Sequence, residues 1–226
     1  MKLLRRKRET FEIRVQELSV RVTAPPDLVE ESRAATLTFW EQLQAYSLQH
    51  PNFTSKRPIT VPDDAPDLIR EMVAVSATAG VGPMFAARGA VVDFVGRLLS
   101  RQTSELTVEC GGDLFLRARK RSKITVARRT DDTTVGVIVE PRAGGVGIST
   151  TTGRGRPGAA GADALAVLAP SCMLAEAASA GVQALLPKPD GLRQALRYLE
   201  STPDVIGGVV VHDGRIGVAG AVEIAS

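Results

Sequence analysis

The segment "VECGGDLFLR", residues 108–117, contains a strand pattern that is interrupted at its centre. Apolar residues typical of a sheet stand on both sides of Gly111, Gly112 and Asp113, which are not themselves a strand sequence. Such an interruption is either a tight hairpin turn or a place where the backbone must come close to another group. The residues alone leave both interpretations open.

The sequence on both sides of this segment predicts a fold of the α+β class. Alternating apolar residues at 10–23 predict a hairpin. The small-residue helix predicted near 84–100 has no polar face, so we expect it to be buried on most sides. We predict further helices at 28–50, 66–78, 171–186 and 190–201, further strands at 105–110, 113–119, 123–129, 133–141, 146–150 and 164–170, and a closing hairpin at 205–225. Ser171 is the N-cap candidate of the helix at 171–186, and Asp213-Gly214 forms the turn of the closing hairpin. These elements predict one domain over residues 1–226, with an antiparallel or mixed sheet, packed helices and a flexible basic segment at residues 1–9.

Composition excludes several classes of protein. Hydrophobic residues make up 44% of the 226 residues, enough for a full core, and the net charge is only +3. No apolar run reaches the length of a membrane span, and no apolar stretch follows the basic start, so we expect a cytoplasmic protein without a membrane partner. The few aromatic residues do not interleave with the basic runs, which does not favour nucleic-acid binding. The two cysteines, Cys110 and Cys172, are far apart and have the spacing of neither a zinc site nor a disulfide scaffold, so we expect both to be ordinary buried thiols.

Two glycine-rich segments are candidates for anion binding. "GRGRPG" at 153–158 matches a dinucleotide-binding pattern, but Pro157 lies inside it and a strand follows it. It is a surface loop, or an ordered loop whose N–H groups bind an anion together with Arg154 and Arg156. "AGVGP" at 79–83 precedes a helix, which suits either a phosphate at the helix N-terminus or a plain turn with Pro83 near the first helical position.

Three carboxylates interrupt small or apolar sequence, namely Asp113, Asp163 and Glu176. A carboxylate in such surroundings is usually paired or bound to a metal. No Lys or Arg lies within a helical turn of Glu176, so we expect its partner to be a cation or an arginine from residues 153–158.

Four segments, taken in order, resemble the ApbE-like superfamily: "AGVGPMFAARGAVVDFVG", "ELTVECGGDLFLR", "GISTTTG" and "GADALAVLAPSCMLAEAASAG". The resemblance is to a largely uncharacterised cytoplasmic branch shared by archaea and bacteria, and it covers nearly the whole chain. The motifs are fairly specific as an ordered set and weak singly.

The resemblance implies chemistry on a flavin nucleotide. ApbE proper transfers FMN from FAD to a threonine of a target flavoprotein, with Mg²⁺. Carried onto this sequence, it implies FAD or FMN as substrate or ligand, a target flavoprotein as partner, Glu176 and Asp163 as catalytic carboxylates, and Glu176, Asp163 and Ser179 as Mg²⁺ ligands. The residues expected to line the cofactor site are Gly82, Pro83, Gly111, Gly112, Asp113, Thr151, Thr152, Gly153, Arg154 and Arg156.

The sequence also differs from the family pattern. Cys110 stands where the branch usually has Asn, and Ala180 stands where a threonine is expected; a loop histidine is absent. These differences favour a non-catalytic protein that binds a flavin- or pterin-type cofactor and serves cofactor biosynthesis or delivery. The retained carboxylates favour Mg²⁺-dependent flavin transfer or flavin nucleotide hydrolysis, and both functions stay open.

Overall fold

A computed structural model of the protein describes residues 7–127, 134–152 and 161–225. Within these residues it contains eleven strands and five α-helices. The strands are β1 (Glu9–Val15), β2 (Leu18–Ala24), β3 (Leu106–Cys110), β4 (Asp113–Arg117), β5 (Ser122–Ala127), β6 (Thr134–Val139), β7 (Val146–Thr152), β8 (Ala164–Ala169), β9 (Gly207–His212), β10 (Arg215–Gly220) and β11 (Glu223–Ala225). The helices are α1 (Val29–Gln49), α2 (Asp67–Thr78), α3 (Ala87–Leu99), α4 (Cys172–Leu185) and α5 (Gly191–Ser201).

The strands form two antiparallel sheets. The larger has eight strands in the order β1-β2-β3-β4-β7-β8-β9-β10, and the smaller has three in the order β11-β6-β5. Each pairing that the described residues form is antiparallel. The predicted α+β class, with helices packed on an antiparallel sheet, is confirmed.

Helices cover one face of the large sheet and the small sheet covers the other. On β8, Leu165 and Val167 pack with residues of α4 and α5, whereas Ala166 and Leu168 pack with valines of the small sheet. Strand β8 is therefore buried on both faces, which explains why its sequence is apolar throughout instead of alternating.

The glycine pair is a hairpin turn between β3 and β4. Cys110 is paired with Asp113, and Gly111 and Gly112 both have positive φ, at 59° and 96°. A two-residue turn whose twist matches that of the flanking strands needs positive φ at both of its central residues. A Cβ atom on Gly112 would lie 2.4 Å from the carbonyl oxygen of Thr150 on β7. Both interpretations of the interruption therefore hold, and the close approach is to the chain's own strand.

Helices α3 and α4 cap each other. The carboxylate of Asp93 on α3 accepts hydrogen bonds from the backbone N–H groups of Cys172 (2.8 Å) and Met173 (2.9 Å) at the start of α4. In return, Glu176 on α4 accepts from the N–H of Gly89 in the first turn of α3, at 2.8 Å. Each carboxylate satisfies N–H groups that a helix leaves without an internal partner.

The absence of a side chain at Gly89 permits this arrangement. A Cβ atom there would lie 2.6 Å from the carbonyl oxygen of Cys172, so the two helices meet backbone to backbone at this point. Ser171 completes the cap of α4 by accepting from the N–H of Leu174, at 3.1 Å, as its position before the helix predicted.

No single helix among residues 7–127, 134–152 and 161–225 is long and apolar enough to cross a membrane; α2 and the helical segment Pro83–Leu99 pass that test only jointly, as a pair bent by 102°. The extent of the domain and the flexibility of residues 1–9 stay predictions. Residues 1–6 lie outside the described part of the chain, and β1 begins at Glu9.

Replacing Asp93 tests the contribution of the reciprocal caps. We expect Asp93→Ala to lower the free energy of unfolding by about 1–3 kcal/mol, because it leaves two N–H groups at the start of α4 without an acceptor. Urea denaturation at pH 7.5 measures this loss. The control is Asp67→Ala, which removes an exposed carboxylate that pairs with Arg70, and a loss equal to the control would contradict the role assigned to Asp93.

Candidate functional site

An arginine from α3 joins two buried carboxylates from different elements. Arg88 Nε donates to Asp113 Oδ2 at 2.8 Å, and Arg88 Nη2 lies 3.3 Å from Glu176 Oε1. Asp113 begins β4 immediately after the glycine turn, and Glu176 lies in the second turn of α4. We call these three residues the Arg88 cluster.

The sheet holds Asp113 in place from the side opposite Arg88. Asp113 is paired with Ser149 on β7, and the Ser149 hydroxyl donates to Asp113 Oδ1 at 2.7 Å. The side chain of Asp113 is 1% exposed, whereas that of Arg88 is 49% exposed. The cluster is therefore a buried anionic pair beneath a cation that reaches the surface.

The two carboxyl groups compete for ionisation. Burial raises the pKa of Glu176 well above its usual value, and the charge of Asp113 raises it further, while Arg88 and the Gly89 N–H act in the opposite direction. Burial also raises the pKa of Asp113, against the effects of Arg88 and Ser149. Both carboxyls contact the same guanidinium, which brings them close together. Two such groups share a proton more readily than they carry two charges, so the pair is suited to acid–base chemistry.

The glycine turn and the end of β7 border the Arg88 cluster. A Cβ atom on Gly111 would lie 3.3 Å from Arg88 Nε, and Thr150 donates its N–H to the Gly112 carbonyl oxygen at 2.8 Å. Strand β7 then continues through Thr151 to Thr152 at the same end of the sheet. Gly153, Arg154 and Arg156, which the sequence also places at the site, lie outside the described residues.

Three of the sequence-predicted residues lie elsewhere. Gly82 packs against the Ser55 backbone, where a Cβ atom would lie 1.7 Å from the Ser55 carbonyl oxygen, and the adjacent Pro83 is buried. Asp163 precedes β8, whose first residue is paired with Thr152. Thr152 lies three residues beyond Ser149 along β7 and Asp163 lies one residue further, two strands from β4, which places it roughly 13 Å from Asp113 along the strand direction.

Ser179 lies one turn after Glu176 on α4. Its hydroxyl oxygen is buried and has no hydrogen-bond partner among the described residues. Glu176 and Ser179 are thus neighbours on one helix, as their spacing predicts, while Asp163 belongs to a different part of the sheet.

Sequence reasoning missed Arg88 and Ser149. The interpretation of Glu176 rested on the rule that a charge among small and apolar residues needs a partner. The same rule applies to Arg88, which stands in the equally apolar α3, and it would have marked both ends of the ion pair. Among the described residues Glu176 is paired with Arg88. The sequence analysis instead predicted a cation or an arginine from residues 153–158 as its partner.

The cysteine beside the site does not provide a nucleophile. Burial raises the pKa of Cys110 to about 11, so its thiol stays protonated near neutral pH. Both cysteines are buried and free, as their spacing predicted. A protonated, buried thiol is a small apolar residue and not a reactive group.

The arrangement does not fit a resident Mg²⁺ ion. The described residues contain no group of three or more His, Cys, Asp or Glu side chains that could hold a metal. Both oxygens of Glu176 already have partners, Arg88 and the Gly89 N–H. A hard cation needs several free oxygen ligands, and these carboxylates are engaged by N–H donors.

The fold is that of the ApbE flavin transferases. The chain superposes on the flavinyl transferase ApbE of Pseudomonas stutzeri with a TM-score of 0.65 at 18% identity, covering 97% of this chain and 96% of that one. The ApbE protein of Thermotoga maritima matches with a TM-score of 0.63 at 10% identity, covering 94% and 97%. At these identities the likeness shows the fold alone.

The sequence match extends over most of the chain. The family model described as "AbpE bacteria" matches residues 1–211, and the chain belongs to that family. A UPF0280 protein of Methanopyrus kandleri is 30% identical over 217 residues, covering 91% of this chain and 88% of its own. A UPF0280 protein of Methanosarcina acetivorans is 27% identical over 223 residues, covering 95% and 87%. The resemblance identified from the sequence is confirmed.

The raised pKa of Glu176 makes the free energy of unfolding depend on pH. The contribution of Glu176 to stability is fully present below its unfolded pKa of about 4.3, and it is lost as the pH rises through its folded pKa. We expect Glu176→Gln, an amide that stays neutral and accepts from Gly89, to gain about 1 kcal/mol or more on wild type between pH 5 and pH 8.

Urea denaturation at intervals of half a pH unit measures this difference. The matched control is Glu71→Gln, an exposed glutamate paired with Arg97, which we expect to follow the wild-type curve. Parallel curves for wild type and Glu176→Gln would show that Glu176 is ionised throughout.

Proposed function

We propose that the chain binds a flavin nucleotide, FAD or FMN, with Arg88 on its phosphate. The observation that carries this proposal is that Arg88 is fixed by two buried carboxylates and yet remains half exposed. A guanidinium has five N–H donors, and the two contacts leave others that face solvent. An arginine held in this way loses little side-chain entropy when it binds an anion.

The surroundings of Arg88 also support a nucleotide. Gly111 has no side chain that would cover the guanidinium, and the turn leaves its backbone exposed. The proposed binding residues are Arg88 and the sequence-predicted Gly111, Gly112, Asp113, Thr151, Thr152, Gly153, Arg154 and Arg156. Gly82 and Pro83 contribute by positioning α3, because Gly82 packs on the Ser55 backbone.

A second candidate function is transfer of FMN from FAD to a flavoprotein, or hydrolysis of the nucleotide. The raised pKa of Asp113 and of Glu176, which burial causes, favours it, since a carboxyl with a raised pKa can act as a general acid. Asp163 and the Mg²⁺ ligand set of Glu176, Asp163 and Ser179 stay predictions. No step is assigned to the metal, because Arg88 and Gly89 engage the oxygens of Glu176.

The proposed partners are therefore a small flavin nucleotide and, for the transfer reaction, a target flavoprotein. A cytoplasmic location stays a prediction. A pterin-type ligand is the alternative for a non-catalytic protein, because a planar bicyclic cofactor carrying an anionic group presents similar chemistry to Arg88.

Binding is tested with purified, undialysed protein. We expect mass spectrometry of released small molecules to find FAD or FMN, and calorimetry on the stripped protein to show binding of added nucleotide. Arg88→Gln should weaken the affinity roughly 10- to 100-fold, the value of one charge-assisted hydrogen bond to phosphate. Arg97→Gln, on the same helix and paired with Glu71, is the control. A released pterin, or a lack of flavin binding by wild type, would contradict the proposal.

Transfer is tested separately from binding. A flavoprotein acceptor incubated with FAD and the protein gains covalent FMN, which is read as fluorescence in a denaturing gel. We expect Glu176→Gln to lower the transfer rate at least about 10-fold, because it removes the ionisable group, while FAD affinity changes less than in Arg88→Gln. If the wild-type protein adds no covalent FMN to the acceptor, the transfer function is contradicted and cofactor binding and delivery is the remaining proposal.

A further inference from the structure

We infer that Arg88 substitutes for a divalent cation at this site, so that the site binds its ligand without metal. The inference concerns the Arg88 cluster itself, and its part about ligand binding rests on the flavin nucleotide proposed above. Removal of Arg88 is then expected to turn the two carboxylates into a divalent-cation site.

Each carboxylate oxygen of the cluster has an N–H or O–H partner. Asp113 accepts from the Ser149 hydroxyl at 2.7 Å and from Arg88 Nε at 2.8 Å. Glu176 accepts from the Gly89 N–H at 2.8 Å and lies 3.3 Å from Arg88 Nη2. The guanidinium spans both carboxylates with separate donors, which is the bridging role that a metal ion has between two acidic ligands.

A divalent cation would have to displace more than solvent here. It would have to remove Arg88 from both carboxylates, and a second ligand oxygen from Glu176 would leave the Gly89 N–H at the start of α3 without its acceptor. The positive charge that the buried pair needs is already supplied by the chain.

The weak point of this arrangement is Arg88 alone, since it is half exposed and the carboxylates are not. Without it, Asp113 and Glu176 are two buried carboxylates that have lost their cation, and the Ser149 hydroxyl still contacts Asp113. Mg²⁺ and Mn²⁺ bind through one or two carboxylates plus water. The arginine therefore excludes metal as well as replacing it.

The test measures Mn²⁺ binding by electron paramagnetic resonance, with metal-free protein at pH 8 and no flavin. We expect Arg88→Gln to bind Mn²⁺ at least about 10-fold more tightly than wild type or Arg97→Gln. The gain should disappear in the double variant Arg88→Gln/Glu176→Gln. Wild type that binds Mn²⁺ as tightly as Arg88→Gln would overturn the inference.

A second measurement uses wild type alone, so it stands even if Arg88→Gln does not fold. FAD affinity in EDTA should lie within about twofold of the affinity in Mg²⁺. A loss of FAD affinity in EDTA that Mg²⁺ restores would overturn the inference while leaving the flavin proposal intact. Conversely, a complete lack of FAD binding would refute the proposed function, and the Mn²⁺ measurement would then decide the inference by itself.

Discussion

The structure depends on an exchange of carboxylates between two helices. Asp93 of α3 caps α4, and Glu176 of α4 binds the first turn of α3. Gly89 and Asp93 have the same spacing on α3 as Cys172 and Glu176 have on α4, so each helix offers an N–H donor followed by a carboxylate at matching positions. Gly89 allows the approach because a side chain there would meet the Cys172 carbonyl oxygen.

The candidate site uses one half of this exchange. One oxygen of Glu176 accepts from the Gly89 N–H, and the other lies beside Arg88. Glu176 therefore belongs both to the candidate site and to the contact between α3 and α4. On the sheet side, the turn of Gly111 and Gly112 presents Asp113 at the level of Ser149. Arg88 therefore links the helical layer to the sheet, and its position depends on both.

The sequence predicted the parts of the fold that have local signals. Ser171 caps the helix that follows it, and Asp213-Gly214 forms the turn between β9 and β10 with both residues at positive φ. The candidate site is different, because its ion pairs and hydrogen bonds join residues that are 25 and 87–88 positions apart. Nothing local in Arg88 indicates Asp113 as its partner. Burial of both carboxylates could be predicted, whereas the donor that satisfies them depended on how the sheet places β4 beneath α3.

The exchange of caps also has a consequence for the order of folding. The hydrogen bonds of these caps join residues that are 79 and 87 positions apart. Contacts at such separations form slowly in an unfolded chain. Neither helix start is satisfied until the other has arrived, so partly folded chains leave both ends frayed. The Arg88 cluster, which needs Glu176 in this position, is therefore complete only after α3 and α4 have docked.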